Sequence, residues 1–144
     1  MKILLSAVVG ACAIVASAGH ALADGDAAKG EVVFKKCMIC HRIGEGAKIA
    51  VGPVLNGVIG RQAGTFEGFS YSTLNKSAGQ NGLVWSEETI FEYLPDPNAF
   101  LKKFLTDKGK PELAVGATKM VFKLASEEER HDVIAYLKKF SPAK

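Results

Sequence analysis

A chain of 144 residues, 48% of them hydrophobic, is the size of one domain and carries enough apolar material for one core. Its 18 Lys and Arg against 15 Asp and Glu leave a net charge of +3, which excludes the large basic field that nucleic-acid binding needs. Steering of any protein partner then has to come from local charge.

The first stretch reads as an export signal. Lys2 is a minimal positive start, Ile3 to Ala18 is small and apolar, and Ala21-Leu22-Ala23 gives an A-x-A site before Asp24. The run is shorter than a membrane-spanning helix needs, although a retained N-terminal anchor is the other reading. Cys12 hints at a lipoprotein signal, but the apolar run continues past it. The expectation is a signal peptide over 1–23, removed on export, and a single domain over 24–144. Without Lys2, 17 basic residues face 15 acidic ones, a net of +2.

Asp26 is placed as an N-cap, and Ala27 to Lys36 reads as a helix with Ala27, Gly30, Val33 and Phe34 on its apolar stripe. Gly30 inside that helix costs about 1 kcal/mol relative to Ala, so it is either a tolerated surface residue or the mark of a close helix–helix approach. Cys37-Met38-Ile39-Cys40-His41 follows directly. A C-x-x-C-H run is the attachment signature of a c-type haem. Two thiols reach the two vinyl-derived positions on one porphyrin edge, and the next side chain comes under the iron. A thioredoxin-like pair would follow a strand and open a helix, whereas this one follows a helical pattern. A zinc site would want a second cysteine pair, which the chain lacks.

Residues 42–64 and 64–82 are glycine-punctuated and read as long loops with at most short helical turns, one of them near Asn75 to Ser77. Such loops make sense around a cofactor that supplies the missing core, and the protein without it is expected to fold poorly. Ser86 to Leu94 is a helix with Glu87 and Glu88 in its first turn, without the full capping box, and Pro95 and Pro97 end it. Asn98 to Lys108 is the next helix, Ala114 to Phe122 is irregular, and Glu127 to Phe140 is the last helix, with Ser126 and Glu129 as a capping-box pair.

A second axial ligand has to come from Met120 or His131, because Met38 sits between the thioether cysteines. Met120, in an irregular stretch, is favoured over His131, which lies on a charged helix face. A thioether also favours reduced iron and raises the potential. Packing in the core is the competing role for Met120. Coordination closed on both sides points to electron transfer rather than oxygen chemistry.

The ordered set of Lys29-Gly30, Phe34, Cys37 to His41, Gly52-Pro53, Gly60-Arg61, Gly68 to Tyr71, Asn75, Trp85, Tyr93-Leu94, Pro97, Thr118 to Met120 and Asp132 to Lys138 resembles the class I, mitochondrial-like c-type cytochromes. It resembles most closely their bacterial periplasmic cytochrome c2 group. The resemblance implies an all-α fold in which three to five helices and Gly-rich loops wrap one covalently attached haem, with the first and last helices crossing. It implies one haem c held through Cys37 and Cys40, with His41 and Met120 on the iron. It further implies that the Pro53 carbonyl accepts the imidazole proton, that Arg61, Tyr71 and Trp85 surround the propionates, and that Asn75, Tyr93 and Thr118 form a polar network near the Met ligand. Two departures stand out: Val115-Gly116-Ala117 precedes Thr118 where the family has Pro-Gly, and the path from Pro97 to Met120 is longer than in mitochondrial members.

The function so implied is that of a soluble, periplasmic, monomeric one-electron carrier, not an enzyme. It would pass electrons between membrane or periplasmic redox complexes through transient contact. Lys35, Lys36, Lys48, Lys102, Lys103, Lys119 and Lys123 are the candidates for a lysine rim. The alternatives are a dedicated electron acceptor of a periplasmic dehydrogenase, a haem sensor or enzyme with an open iron position, and a non-haem dithiol oxidoreductase.

Overall fold

The computed structural model describes residues 24–141; the expected signal peptide lies outside the described residues. Among the described residues there are five α-helices and one 3-10 turn: α1 Ala27–Phe34, α2 Thr73–Gln80, α3 Glu87–Tyr93, α4 Pro97–Asp107, the 3-10 turn Pro111–Leu113, and α5 Glu127–Lys138. The only extended pairing among them is a single antiparallel bridge between Gln62 and Val84.

The frame is the crossing of α1 and α5. Asp26 caps α1 through its carboxylate, which accepts from the Ala28 and Lys29 amides. Its own amide donates to Asp132 Oδ1 across the crossing at 2.7 Å. A Cβ on Gly30 would lie 1.9 Å from the Asp132 carbonyl oxygen and 2.8 Å from the Tyr136 Cβ. Gly30 is therefore the close-approach glycine, not a tolerated surface one. Phe34 then meets the Tyr136 ring at 5.3 Å, and Val33, Val133, Ile134 and Leu137 complete the buried contact.

α2 is a full helix where the sequence reads as loop with one short turn. Ser72 caps it by accepting from the Asn75 amide, and Leu74 and Ala78 are buried. Leu74 is its one large apolar residue, and small and polar residues fill the rest of its buried face. They are there because the helix packs close: a Cβ on Gly79 would stand 1.9 Å from the Ala63 carbonyl oxygen. α4 begins at Pro97, which is buried at the first helical position rather than merely ending α3. Proline there brings its own helical φ and lacks only an amide that would go unbonded anyway.

Two caps differ from expectation. Ser86 and Thr89 do close a capping box, because the Thr89 hydroxyl accepts from the Ser86 amide at 2.8 Å while Ser86 Oγ accepts from the Thr89 amide. A threonine hydroxyl substitutes there for the usual Glu or Gln. At α5 only half the box forms: Ser126 accepts from the Glu129 amide, while the Glu129 carboxylate takes Lys36 Nζ at 2.6 Å on the end of α1. Ser86→Ala should lower stability by about 1 kcal/mol, read as a shift in the denaturant midpoint.

Candidate functional site

α1 ends at Phe34 and the chain stays tightly wound. The Cys37 amide donates to Phe34 O at 2.8 Å, Cys40 to Cys37 O at 3.0 Å and His41 to Cys37 O at 2.9 Å. Residues three and four apart in such a turn share a side, so Cys37, Cys40 and His41 sit together. The two cysteines do not bridge each other. Burial pushes the Cys37 thiol up to about 11.

His41 is set by what surrounds it. Its Nδ1 lies 2.8 Å from the Pro53 carbonyl oxygen and donates to it, leaving the Nε2 lone pair for a metal. Burial, aided by the charge of Arg61, lowers the imidazole below its ordinary value and outweighs the pull of that carbonyl, so the ring is the neutral ligand form. Gly52 lies flat against it; a Cβ there would be 2.6 Å from His41 Cε1. Gly52-Pro53 thus works as one device, the glycine admitting the ring and the proline carbonyl orienting it.

Arg61 donates from both terminal nitrogens to Val54 O at 3.1 and 3.2 Å and rests over the Phe66 ring at 5.0 Å. Tyr71 is near enough for the two to feel each other's charge, and burial raises its hydroxyl above the ordinary value. Trp85 packs edge-on to Tyr93 at 4.7 Å, and Phe100 of α4 closes on both, at 6.4 and 5.8 Å. Burial drives the Tyr93 hydroxyl up to about 12, against a smaller opposing influence of Thr118, so it remains protonated. Thr118 Oγ1 in turn accepts from the Met120 amide at 3.3 Å. Trp85, Tyr93 and Phe100 therefore form one aromatic cluster, and Thr118 is tied to Met120. Asn75 joins none of them by a hydrogen bond: its buried Oδ1 has no partner among the described residues.

These features fit a haem c. Two unbridged cysteines and a neutral imidazole share one turn, a glycine clears the imidazole face, and the buried Asn75 amide oxygen is left without a protein partner. His131, the alternative ligand, is instead stacked on Phe91 at 4.5 Å. The sequence reading missed three supports of the Met120 segment. Asn98 Oδ1 accepts from the Thr118 amide at 3.1 Å, Lys119 Nζ donates to Ser70 O beside Phe69, and Arg130 reaches the carbonyls of Leu124 and Ala125. Each is a contact to backbone or to a distant side chain, and neither leaves a spacing pattern.

The cytochrome c family profile matches residues 27–141. Cytochrome c2 iso-1 of Rhodospirillum centenum is 69% identical over 118 residues, covering 82% of this chain and 98% of the relative. A cytochrome c2 of Rhodopseudomonas palustris is 66% identical over 112 residues, covering 78% and 96%. Among solved structures, cytochrome c2 from Rhodospirillum centenum superposes with a TM-score of 0.81 at 66% identity, covering 82% of this chain and all of that one. Cytochrome c2 from Rhodobacter sphaeroides superposes with a TM-score of 0.71 at 35% identity, covering 83% and 99%. The crossing of α1 and α5, the C-x-x-C-H turn and this breadth of likeness agree: the chain belongs to the cytochrome c family, electron carriers built on one covalent haem c under His/Met ligation.

Proposed function

We propose that this chain is a soluble, monomeric, periplasmic one-electron carrier, exported by a signal over 1–23 that is then removed. It moves electrons between membrane or periplasmic redox complexes, as from a quinol:cytochrome c oxidoreductase to an oxidase or a photosynthetic reaction centre, and is not itself an enzyme. Haem c supplies an iron that gains and loses one electron.

The protein does the rest. Cys37 and Cys40 fix the group, His41 is held in register by Pro53, and Met120 lends a soft ligand that favours the reduced state. Arg61, Tyr71 and Trp85 supply donors for buried propionate charge, which would be costly unpaired. Thr118 and Tyr93 supply the polar groups on the Met120 side, while the Asn75 amide is left to meet the group itself. The observation that carries this reading is the tying down of both ligand segments, His41 through Pro53 O and Met120 through Thr118 and Lys119. Ligands held in place let the iron change charge with little rearrangement.

The lysine rim is thinner than the lysine count suggests. Lys36 pairs with Glu129, Lys103 with Asp107 and Lys123 with Asp96, and Lys119 is drawn onto Ser70 O. Of the seven rim candidates, Lys35, Lys48 and Lys102 make no ion pair among the described residues and are the rim charges available for an acidic partner. Electron transfer to an acidic redox protein should therefore slow as salt rises. Lys35→Glu or Lys48→Glu should slow it more than Lys36→Glu. A rate indifferent to ionic strength contradicts docking through these charges. In the same preparation the reduced protein should leave carbon monoxide unbound at neutral pH; tight binding would point to an open iron site.

A further inference from the structure

Arg130 is the one buried guanidinium whose surroundings the site has not yet accounted for. The residue is 6% exposed, near the start of α5, and its charge lies 4.3 Å over the Phe91 ring. Its Nη1 donates to Leu124 O at 3.2 Å and to Ala125 O at 2.5 Å. Among the described residues the one carboxylate paired with it is that of Glu127, 3.8 Å from Nη2 and largely in solvent, and Nε is buried without a partner. As a device for stability this is a poor bargain, because an apolar side chain on Phe91 would avoid desolvating a charge.

What the guanidinium does hold is the far end of the Met120 segment. Leu124, whose carbonyl it takes, also donates its amide to Leu94 O at 2.8 Å, so residues 124 and 125 are fastened to both α3 and α5. On the near side Thr118 is fastened to Asn98 of α4. Between these anchors Lys123 reaches Asp96 at 2.6 Å in an exposed ion pair, the weakest kind of tether. Met120 thus sits on a short span whose downstream anchor is Arg130.

We infer that Arg130 is a positioning residue for Met120: by pinning the carbonyls of Leu124 and Ala125 it fixes the length of chain free to swing and so sets how often the thioether leaves its place. This rests on Met120 being the distal ligand. The test uses the exported holoprotein in urea at neutral pH. It follows the far-red absorption band, which reports the sulfur ligand, alongside helical ellipticity, in the parent, R130M, R130K and Met120→Ala. In R130M the band should fade well before ellipticity, with the opening constant raised about tenfold, the effect of losing a charge-assisted hydrogen bond. R130K should recover part of it, since an ammonium still reaches one carbonyl.

If band and ellipticity shift together in R130M, the residue serves global stability alone and the inference is overturned. It is equally overturned if the band does not move, or if R130K is no better than R130M. A band that survives Met120→Ala removes the ligand assignment itself; a band lost in Met120→Ala but unmoved in R130M removes only the role of Arg130.

Discussion

Met120→Ala is expected to abolish the far-red band of the oxidised protein and to lower the reduction potential by on the order of a tenth of a volt or more. Axial ligands command a span of about 0.8 V, and exchanging a thioether for water or a harder donor gives up its preference for reduced iron. The loss should be selective. Met120 is only partly buried and its loop is held by Thr118, Asn98 and Lys119, none of which depends on the thioether. Helical content should therefore survive, and the reduced variant should gain the ability to bind carbon monoxide. A band that persists would send the search to another ligand. His131 is poorly placed for that role, since its ring is committed to Phe91.

Gly30→Ala carries the largest expected cost in stability, and its sign discriminates between two accounts of that glycine. On an open helix face, alanine would stabilise by about 1 kcal/mol through helix propensity. Here the new Cβ would fall 1.9 Å from Asp132 O, a backbone atom that cannot rotate aside. α1 and α5 must part, loosening the Phe34–Tyr136 contact and the Asp26 amide bond to Asp132. The net cost should be about 3 kcal/mol, near the top of the range for overpacking. Equilibrium urea unfolding of the holoprotein measures it; a midpoint unchanged or raised would show that the helices do not meet as described.

The haem-attachment run was legible because its chemistry is contiguous: two thiols and an imidazole within five consecutive residues need no fold to be recognised. α1, α3, α4 and α5 were legible from local signals too, their large apolar residues together with the capping and proline residues at their ends. α2 was not, because Leu74 is its one large apolar residue and the rest of its buried face is Asn75, Ser77, Ala78 and Gly79, the last packed close on Ala63. The caps exchanged places because a threonine hydroxyl can reach an amide as a glutamate would, while Glu129 found a better partner in Lys36, distant in sequence. Asn98 and Arg130 went unread because a side chain that serves a backbone carbonyl or amide imposes nothing on the identity of its partner. What family likeness added was the set of residues from Arg61 to Thr118, whose roles no spacing reveals.

The most direct measurement is the intact mass of the exported protein, taken with and without a thiol-alkylating reagent under denaturing conditions. The account predicts the mass of residues 24–144 plus one haem, unchanged by the reagent because both sulfurs are already thioethers. A mass without the macrocycle, or two alkylated cysteines, would contradict it.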